Sequence, residues 1–232
     1  MSDPMLSRFS GEFEIHLTVD GGCPALPSGA LAARAAERGW KYAHIVLDRG
    51  RTPSQPMVTL DAEGTFDAVL TTARTASGDL AAAGCPVVRT KIEAAPWARG
   101  VPGTDEEGAA LGSARYFEHH VKLLLPPDAD PAPLARAVSG HTAHLSRNAR
   151  RTREDGQREC FVTQRCHRTG GTTAARRLDA LMAALAAFPY EILSVEREFV
   201  VYDSALTLDA GWLPEEDGDE EGTGMSTKAA GR

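Results

Sequence analysis

The chain has 232 residues, of which 42% are hydrophobic and 25% are charged, and this composition is typical of a globular protein. The length fits one large domain or two small ones. The formal net charge is −7, and six carboxylates are concentrated in residues 214–224, so a broad basic surface for nucleic acid is not expected.

The cysteine content and the apolar pattern indicate a compartment. The chain has no run of about 18 apolar residues, so no membrane span is expected. Its N-terminal residues have no apolar signal core. None of the four cysteines, Cys23, Cys85, Cys160 and Cys166, forms a CxxC pair. The apolar pattern therefore predicts a cytoplasmic protein, and in a cytoplasmic chain of this size we expect the cysteines to be free thiols.

The first half of the chain follows a β-α-β-β-α-β order. A flexible arm is expected at 1–10. Period-two alternation and β-branched residues predict four strands, and runs of strong helix formers predict two helices. The strands are expected at 13–19, 41–48, 57–61 and 86–94, and the helices at 30–40 and 65–84.

The same order returns in the second half. Residues 96–113 are rich in Gly, Pro and Ala without periodicity, which is typical of a linker. The strands are then expected at 115–125, 142–149, 158–167 and 191–204, and the helices at 130–141 and 172–189. The acidic tail, 213–232, is expected to be disordered.

Repeated sequence accompanies the repeated order. FEIHLTV begins at Phe13 and FEHHVKL at Phe117, so that His16 matches His120 at a separation of 104 positions. Thr59 and Thr163 match at the same separation. AHIVLDR at 43–49 and AHLSRNA at 143–149 match at a separation of 100. These matches predict an internal duplication.

The predicted fold class is α+β, with two ferredoxin-like β-α-β-β-α-β units at 11–95 and 114–212. Each unit has helices on one sheet face, and its other face is open. Alternation places polar side chains on both open faces, which are too polar to pack against each other as a dry core. We expect them to form a shared, solvated cleft; the oligomeric state is left open.

The sequence HLTV, at 16–19, resembles the His-x-Thr/Ser-apolar motif of the 2H phosphoesterases, which include RNA 2′,3′-cyclic phosphodiesterases and 2′,5′ RNA ligase-like enzymes. The resemblance implies two lobes with one motif each and a pair of catalytic histidines, His16 and His120. One histidine would accept a proton while the other donates one. The second motif departs from the pattern, because Lys122 replaces the threonine. HLSR, beginning at His144, matches but lies on another predicted strand, so His144 is an alternative partner for His16.

The first functional hypothesis is therefore a phosphoesterase-like enzyme that acts on a phosphate ester or another small anion in the cleft. Hydroxyl and cationic groups near the two histidines would hold this anion. The expected substrate-binding residues are Thr18, Lys122, Arg89, Lys91, Thr59, Thr163 and His144.

Two alternatives stay open. One is a non-catalytic protein that binds a small ligand or has a regulatory role. The other is a metal-dependent enzyme using Glu14, His16 and His120 with His144 or Glu118, since imidazole and carboxylate suit Zn, Fe or Mn. No ligand spacing is diagnostic of a metal, so no metal site is assigned and the cofactor is left open.

Overall fold

The computed structural model describes residues 5–23, 25, 29–152 and 155–212, and the side chains of 149–152 are not described. The predicted acidic tail at 213–232 and the first four residues lie outside this part of the chain.

The described residues form eight strands and five α-helices. The strands are β1 Ser10–Val19, β2 Lys41–Leu47, β3 Ser54–Thr65, β4 Val87–Ala94, β5 Tyr116–Leu125, β6 Ala143–Thr152, β7 Arg158–His167 and β8 Glu191–Asp203. The helices are α1 Ala30–Glu37, α2 Phe66–Ala82, α3 Asp105–Ala110, α4 Ala132–Ser139 and α5 Gly171–Leu185. None of the helices in these ranges has the length and apolar character needed to cross a membrane.

All eight strands pair antiparallel in one closed barrel, in the order β1-β3-β2-β6-β7-β5-β8-β4. In the first half β1 lies between β3 and β4, and in the second half β5 lies between β7 and β8. This is the strand order of a ferredoxin-like unit in each half. The halves are joined where β2 pairs with β6 and where β4 pairs with β8.

The apolar core lies between the barrel wall and the helices. On β1 the alternation places Phe13, Ile15 and Leu17 on one face, and all three are buried in a cluster with residues of α2 such as Val69 and Leu80. A second cluster in the other half packs β5 and β7 against α4 and α5. Because the apolar side chains cover the outer face of the sheet, the polar side chains of the same strands point into the barrel.

Two segments are more ordered than the sequence predicts. The expected flexible arm contains a short 3-10 helix, Leu6–Arg8, and Phe9 is fully buried in the core. The expected linker contains α3, whose N-terminus is closed by a capping box between Thr104 and Glu107. A Cβ at Gly108 would lie 2.2 Å from the carbonyl oxygen of Thr169, so only glycine allows α3 to approach this closely.

The expectation of four free thiols is wrong for two of them. Cys23 and Cys85 form a disulfide with a Cα–Cα distance of 5.1 Å, while Cys160 and Cys166 are free and buried. The disulfide links the loop after β1 to the loop before β4.

Candidate functional site

The polar faces of the two halves meet inside the barrel rather than across an open cleft. They line a cavity of about 300 Å³ with side chains from both halves. This volume is at the lower end of the range for small-molecule pockets. The cavity brings together seven of the nine residues predicted for the site: His16, Thr59, Arg89, Lys91, His120, Lys122 and Thr163.

The two histidines have equivalent hydroxyl partners. His16 Nδ1 lies 2.7 Å from Thr59 Oγ1, and His120 Nδ1 lies 3.0 Å from Thr163 Oγ1. Each threonine is directly opposite its histidine on the neighbouring strand. The hydrogen bonds fix both rings, so that both Nε2 atoms face carboxylates of the interior.

Four glutamates surround these Nε2 atoms. His16 Nε2 forms a short hydrogen bond with Glu93 and lies 3.8 Å from Glu14 Oε2. His120 Nε2 lies 3.7 Å from Glu118 Oε2 and 3.6 Å from Glu198 Oε2. Glu93 and Glu198 were not among the predicted site residues, although the alternation of β4 and β8 already placed them on the open faces.

Two of the glutamates are neutralised by buried cations. Lys91 pairs with Glu93 Oε1 at 2.6 Å and also with Glu118, and Arg165 Nε donates to Glu118 Oε1 at 2.7 Å. Burial raises the pKa of Glu118, but Arg165 and Lys91 outweigh burial and lower this pKa to about 2. Glu118 is therefore ionised, and the Lys91 ammonium is committed to carboxylates.

Glu198 differs from these two. Within the described ranges it makes no ion pair with a lysine or arginine, and it lies 3.6 Å from His120 Nε2. Burial, together with the negative charge of Glu93, raises the pKa of Glu198 to about 10. Burial also lowers the pKa of His120 despite the nearby Glu118, so this ring is neutral near neutral pH.

A second cavity adjoins the first and shares Glu14, Glu93, Glu196 and Glu198 with it. Among the described residues its lining includes seven carboxylates and one arginine, Arg197. We call this surface the acidic mouth; its carboxylates are those of Glu12, Glu14, Asp61, Glu63, Glu93, Glu196 and Glu198. The field of so many carboxylates attracts cations and repels anions.

Arg89, one of the predicted anion-binding residues, is held by carboxylates. Its guanidinium donates to Asp203 and to Asp209, and it is 4% exposed. Asp209 also accepts from Arg165 at 2.7 Å and from Gln55 at 3.0 Å. The guanidinium group of Arg165 lies over the ring of the buried Trp212. The segment that contains Asp209 and Trp212 therefore fills the part of the interior away from the acidic mouth.

Two further predicted residues do not line the cavity. Thr18 is 2% exposed, lies opposite Met57 and Arg89, and its hydroxyl makes no hydrogen bond within the described chain. His144 Nδ1 accepts from Arg49 Nη2 at 2.8 Å, and its ring lies against Trp212. His144 therefore does not line the cavity, whereas His120 lines it together with His16.

The predicted match between His44 and His144 is wrong. His144 lies opposite Thr163, whereas His44 lies opposite Pro56, and the residue opposite Thr59 is Lys41. The side chains of residues opposite each other in an antiparallel pair lie on the same face. Lys41, not His44, therefore occupies the position that corresponds to His144.

The ammonium group of Lys122 differs from those of the other predicted anion-binding cations. Lys122 lines the cavity, and its Nζ lies 5.2 Å from the centre of the Phe161 ring. In the part of the chain that the structure describes, Lys122 makes no ion pair with a carboxylate. Among the predicted anion-binding cations it is the residue best able to reach a ligand.

No family model matches the chain, and no curated protein matches it. Among solved structures, the chain is similar to the acetolactate synthase small subunit from Thermotoga maritima, with 11% identity over 83% of this chain and 95% of that one at a TM-score of 0.29. It is similar to the regulatory subunit of aspartate kinase from Thermus thermophilus, with 15% identity over 75% and 92% of the two chains at a TM-score of 0.29. A mutant chlorite dismutase from Candidatus Nitrospira defluvii gives 11% identity over 82% and 92% at a TM-score of 0.27. At these TM-scores the similarities support no conclusion about the function of this chain.

Proposed function

We propose that this protein binds a small ligand inside the barrel, with His16 and His120 as the central contacts. The observation that carries the proposal is the convergence of two hydroxyl-anchored histidines on one interior that solvent reaches. The side chain of His16 is 16% exposed and that of His120 is 24% exposed. Filling the interior of a small barrel does not by itself require two imidazoles held in fixed orientations.

The charge of the site favours a ligand with cationic or hydrogen-bond-donating groups. A ligand that enters by the acidic mouth passes Glu14, Glu196 and Glu198 before it reaches the histidines. The cations that could have received an anion, Arg89 and Lys91, are already paired with carboxylates. A small anion, as first expected, would have Lys122 as its main available partner.

The two halves support the internal duplication that the sequence predicts, and we infer that the site arose from it. The equivalent pairs His16–Thr59 and His120–Thr163 keep the separation of 104 positions. Glu14 lies opposite Glu93, and Glu118 lies opposite Glu198. The second half therefore repeats the Glu-His-Thr-Glu arrangement of the first.

A second candidate is the paired-histidine enzyme of the phosphoesterase type. It is favoured by the hydroxyl and carboxylate partners that each ring has, since such partners orient an imidazole for proton transfer. In this candidate His16 and His120 exchange protons with the substrate, and Lys122 holds the phosphate. It is disfavoured by the acidic mouth, which an anionic substrate would have to pass.

Thermal denaturation in chelator-containing buffer tests the proposal. The wild-type protein is compared with a His16→Gln/His120→Gln variant against a panel of amines, amino acids, nucleotides and cyclic phosphates. A His141→Gln variant is the matched control, because His141 does not line either cavity. At a ligand concentration of 100 times Kd, binding stabilises by about 2.7 kcal/mol, which shifts the melting temperature by several degrees.

We expect at least one cationic or zwitterionic compound to stabilise the wild type and the control but not the double variant. Hydrolysis of a cyclic phosphate that the double variant loses would instead support the enzyme. The ligand-binding proposal is contradicted if no compound stabilises the wild type, or if the double variant responds as the wild type does.

A further inference from the structure

We propose that Glu14, His16 and Glu198 bind a divalent transition-metal ion. The inference rests on the proposed function, because this cluster belongs to the same interior site. One imidazole and two carboxylates form a donor set that suits Zn²⁺, Mn²⁺ or Fe²⁺.

The geometry brings the three donors together. One ligating atom from each residue lies within 4.8 Å of the others. The strands explain this placement. Glu14 and His16 are two positions apart on β1 and share a face, while Glu198 comes from β8, which is separated from β1 by β4 alone. His120, with Nε2 at 3.6 Å from Glu198 Oε2, is positioned to contribute a fourth donor.

The orientation of His16 fits a metal ligand. Its Nδ1 is hydrogen-bonded to Thr59 Oγ1 at 2.7 Å, which fixes the ring. In the metal-free protein Nε2 is hydrogen-bonded to Glu93 and lies 3.8 Å from Glu14 Oε2, so an ion bound here takes the place of the proton in the Glu93 hydrogen bond. Metal-ligating imidazoles are held in this way, by a hydrogen bond from the ring nitrogen that does not bind the metal.

The charges separate this cluster from a second one. Glu93, Glu118 and His120 also lie close together, but Lys91 already contacts both of those glutamates. An ion there would face the buried Lys91 ammonium. Among the described residues, the cation paired with the first cluster is Lys41, which lies 2.9 Å from Glu14 and has a side chain that is 62% exposed.

The first cluster is also the one that solvent reaches. The side chains of Glu14 and Glu198 are 33% and 15% exposed, against 1% for both Glu93 and Glu118. Both exposed residues line the acidic mouth as well as the cavity. A hydrated cation therefore has an entry path along which the field is favourable.

Calorimetric titration of the chelator-treated full chain with Zn²⁺, and separately with Mn²⁺, tests the proposal without any organic ligand. The variants are Glu14→Gln, His16→Gln and Glu198→Gln. Matched controls are Glu191→Gln, on the same strand as Glu198 but outside both cavities, and His141→Gln. Near-ultraviolet circular dichroism of each variant establishes that it is folded before it is titrated.

We expect the wild type and both controls to bind one ion per chain. Each cluster variant should weaken binding about tenfold or more, which is the effect of losing even an outer contact of a metal site. The proposal is overturned if the wild type shows no saturable binding. It is also overturned if Glu118→Gln abolishes binding while Glu198→Gln keeps it, which would place the ion in the second cluster.

The outcome of the metal titration can be distinguished from the outcome of the thermal-denaturation panel. The panel is run in chelator, so a stabilising compound found there supports the ligand site whether or not an ion binds. Saturable Zn²⁺ or Mn²⁺ binding without any stabilising compound supports the metal cluster and removes the metal-free ligand site.

Discussion

Thr59 and Thr163 decide how the two histidines are presented to the interior. Both threonines are buried and hydrogen-bonded to an Nδ1 atom. They could be predicted as site residues, since they match at a fixed separation and alternation puts them on the open face. Because each hydroxyl is hydrogen-bonded to an imidazole, we expect the two threonines to orient the rings.

Replacing Thr59 or Thr163 by valine should release the corresponding ring. We expect each variant to lose about 0.5–1.5 kcal/mol of unfolding free energy, the usual net value of one hydrogen bond. Urea denaturation measures the loss, and ¹⁵N spectra of the imidazoles report the change of tautomer. Thr207→Val, at an exposed position, should change neither; an unchanged tautomer in Thr59→Val would contradict the orienting role.

Glu198 should destabilise the metal-free protein near neutral pH, because its raised pKa means that the group takes up a proton on folding. It faces Glu93 without a lysine or arginine partner in the described chain, and a raised pKa means that ionisation of this group opposes folding. Glu198→Gln should therefore raise the free energy of unfolding by about 1 kcal/mol or more, since one pKa unit corresponds to about 1.4 kcal/mol. Urea denaturation at pH 7.5 in chelator measures this, with Glu191→Gln as control. A destabilised Glu198→Gln would contradict this account.

Other contacts between individual residues could not be predicted from the sequence. The pairing of Arg89 with Asp209 spans 120 positions, and that of Lys91 with Glu118 crosses between the halves. Alternation predicts which face a side chain occupies but not which side chain lies across the barrel. Arg89 and Lys91 were therefore expected to bind a ligand, although carboxylates of the same chain occupy them.

Among the elements, the strands and the four longer helices could be predicted from hydrophobic period. The match between 43–49 and 143–149 failed because both segments contain Ala-His, and this shared dipeptide does not fix the strand register. Register depends on the partner strand, and an error of one residue exchanges the two faces. Helix α3 was missed because its six residues are too few to show a period.

The Cys23–Cys85 disulfide joins the loop after β1 to the loop before β4, and its two cysteines are 62 positions apart in the sequence. Replacing both cysteines by serine should lower the free energy of unfolding by about 2–4 kcal/mol. Guanidinium denaturation measures this loss.

Thiol counting provides the control for the disulfide. Alkylation of the unreduced, denatured protein should label two cysteines, Cys160 and Cys166, and alkylation after reduction should label all four. Four labelled cysteines without reductant would show that the disulfide is absent.

At the scale of the whole molecule, closure of the barrel converts two open polar faces into one interior. The repeated element order predicted two ferredoxin-like units but not how their sheets meet. Closure depends on short pairings between distant strands, such as Ile45–Leu47 with 146–148. Such pairings leave no periodic signal in the sequence, so the interior site could be predicted only as a cleft of unknown shape.

Asp209 should be a main determinant of this closed arrangement. It is 4% exposed and contacts Arg89, Arg165 and Gln55. Asp209→Asn leaves part of two buried guanidinium charges uncompensated, so we expect a loss of about 3–5 kcal/mol at neutral pH. Denaturant unfolding measures the loss, with the exposed Asp179→Asn as the matched control.

The same substitution has a defined pH dependence. Burial raises the pKa of Asp209, but Arg89 and Arg165 outweigh burial and hold this pKa below its usual range. A lowered pKa contributes stability that is present above the unfolded value, about 3.9, and is lost as the pH falls toward the folded value. The difference between wild type and Asp209→Asn should therefore be constant above about pH 5 and shrink below pH 4. A difference that grows on acidification would contradict the ion-pair role.

The central claim is that His16 and His120 form one binding site that cations reach through the acidic mouth. Paramagnetic broadening of the imidazole signals by Mn²⁺, followed in ¹⁵N-labelled chelator-treated protein, tests this claim most directly. The account predicts that the signals of His16 and His120 broaden together, at lower Mn²⁺ concentration than those of His44, His141 and His167. Broadening that begins at these other rings, or that affects only one member of the pair, would contradict it.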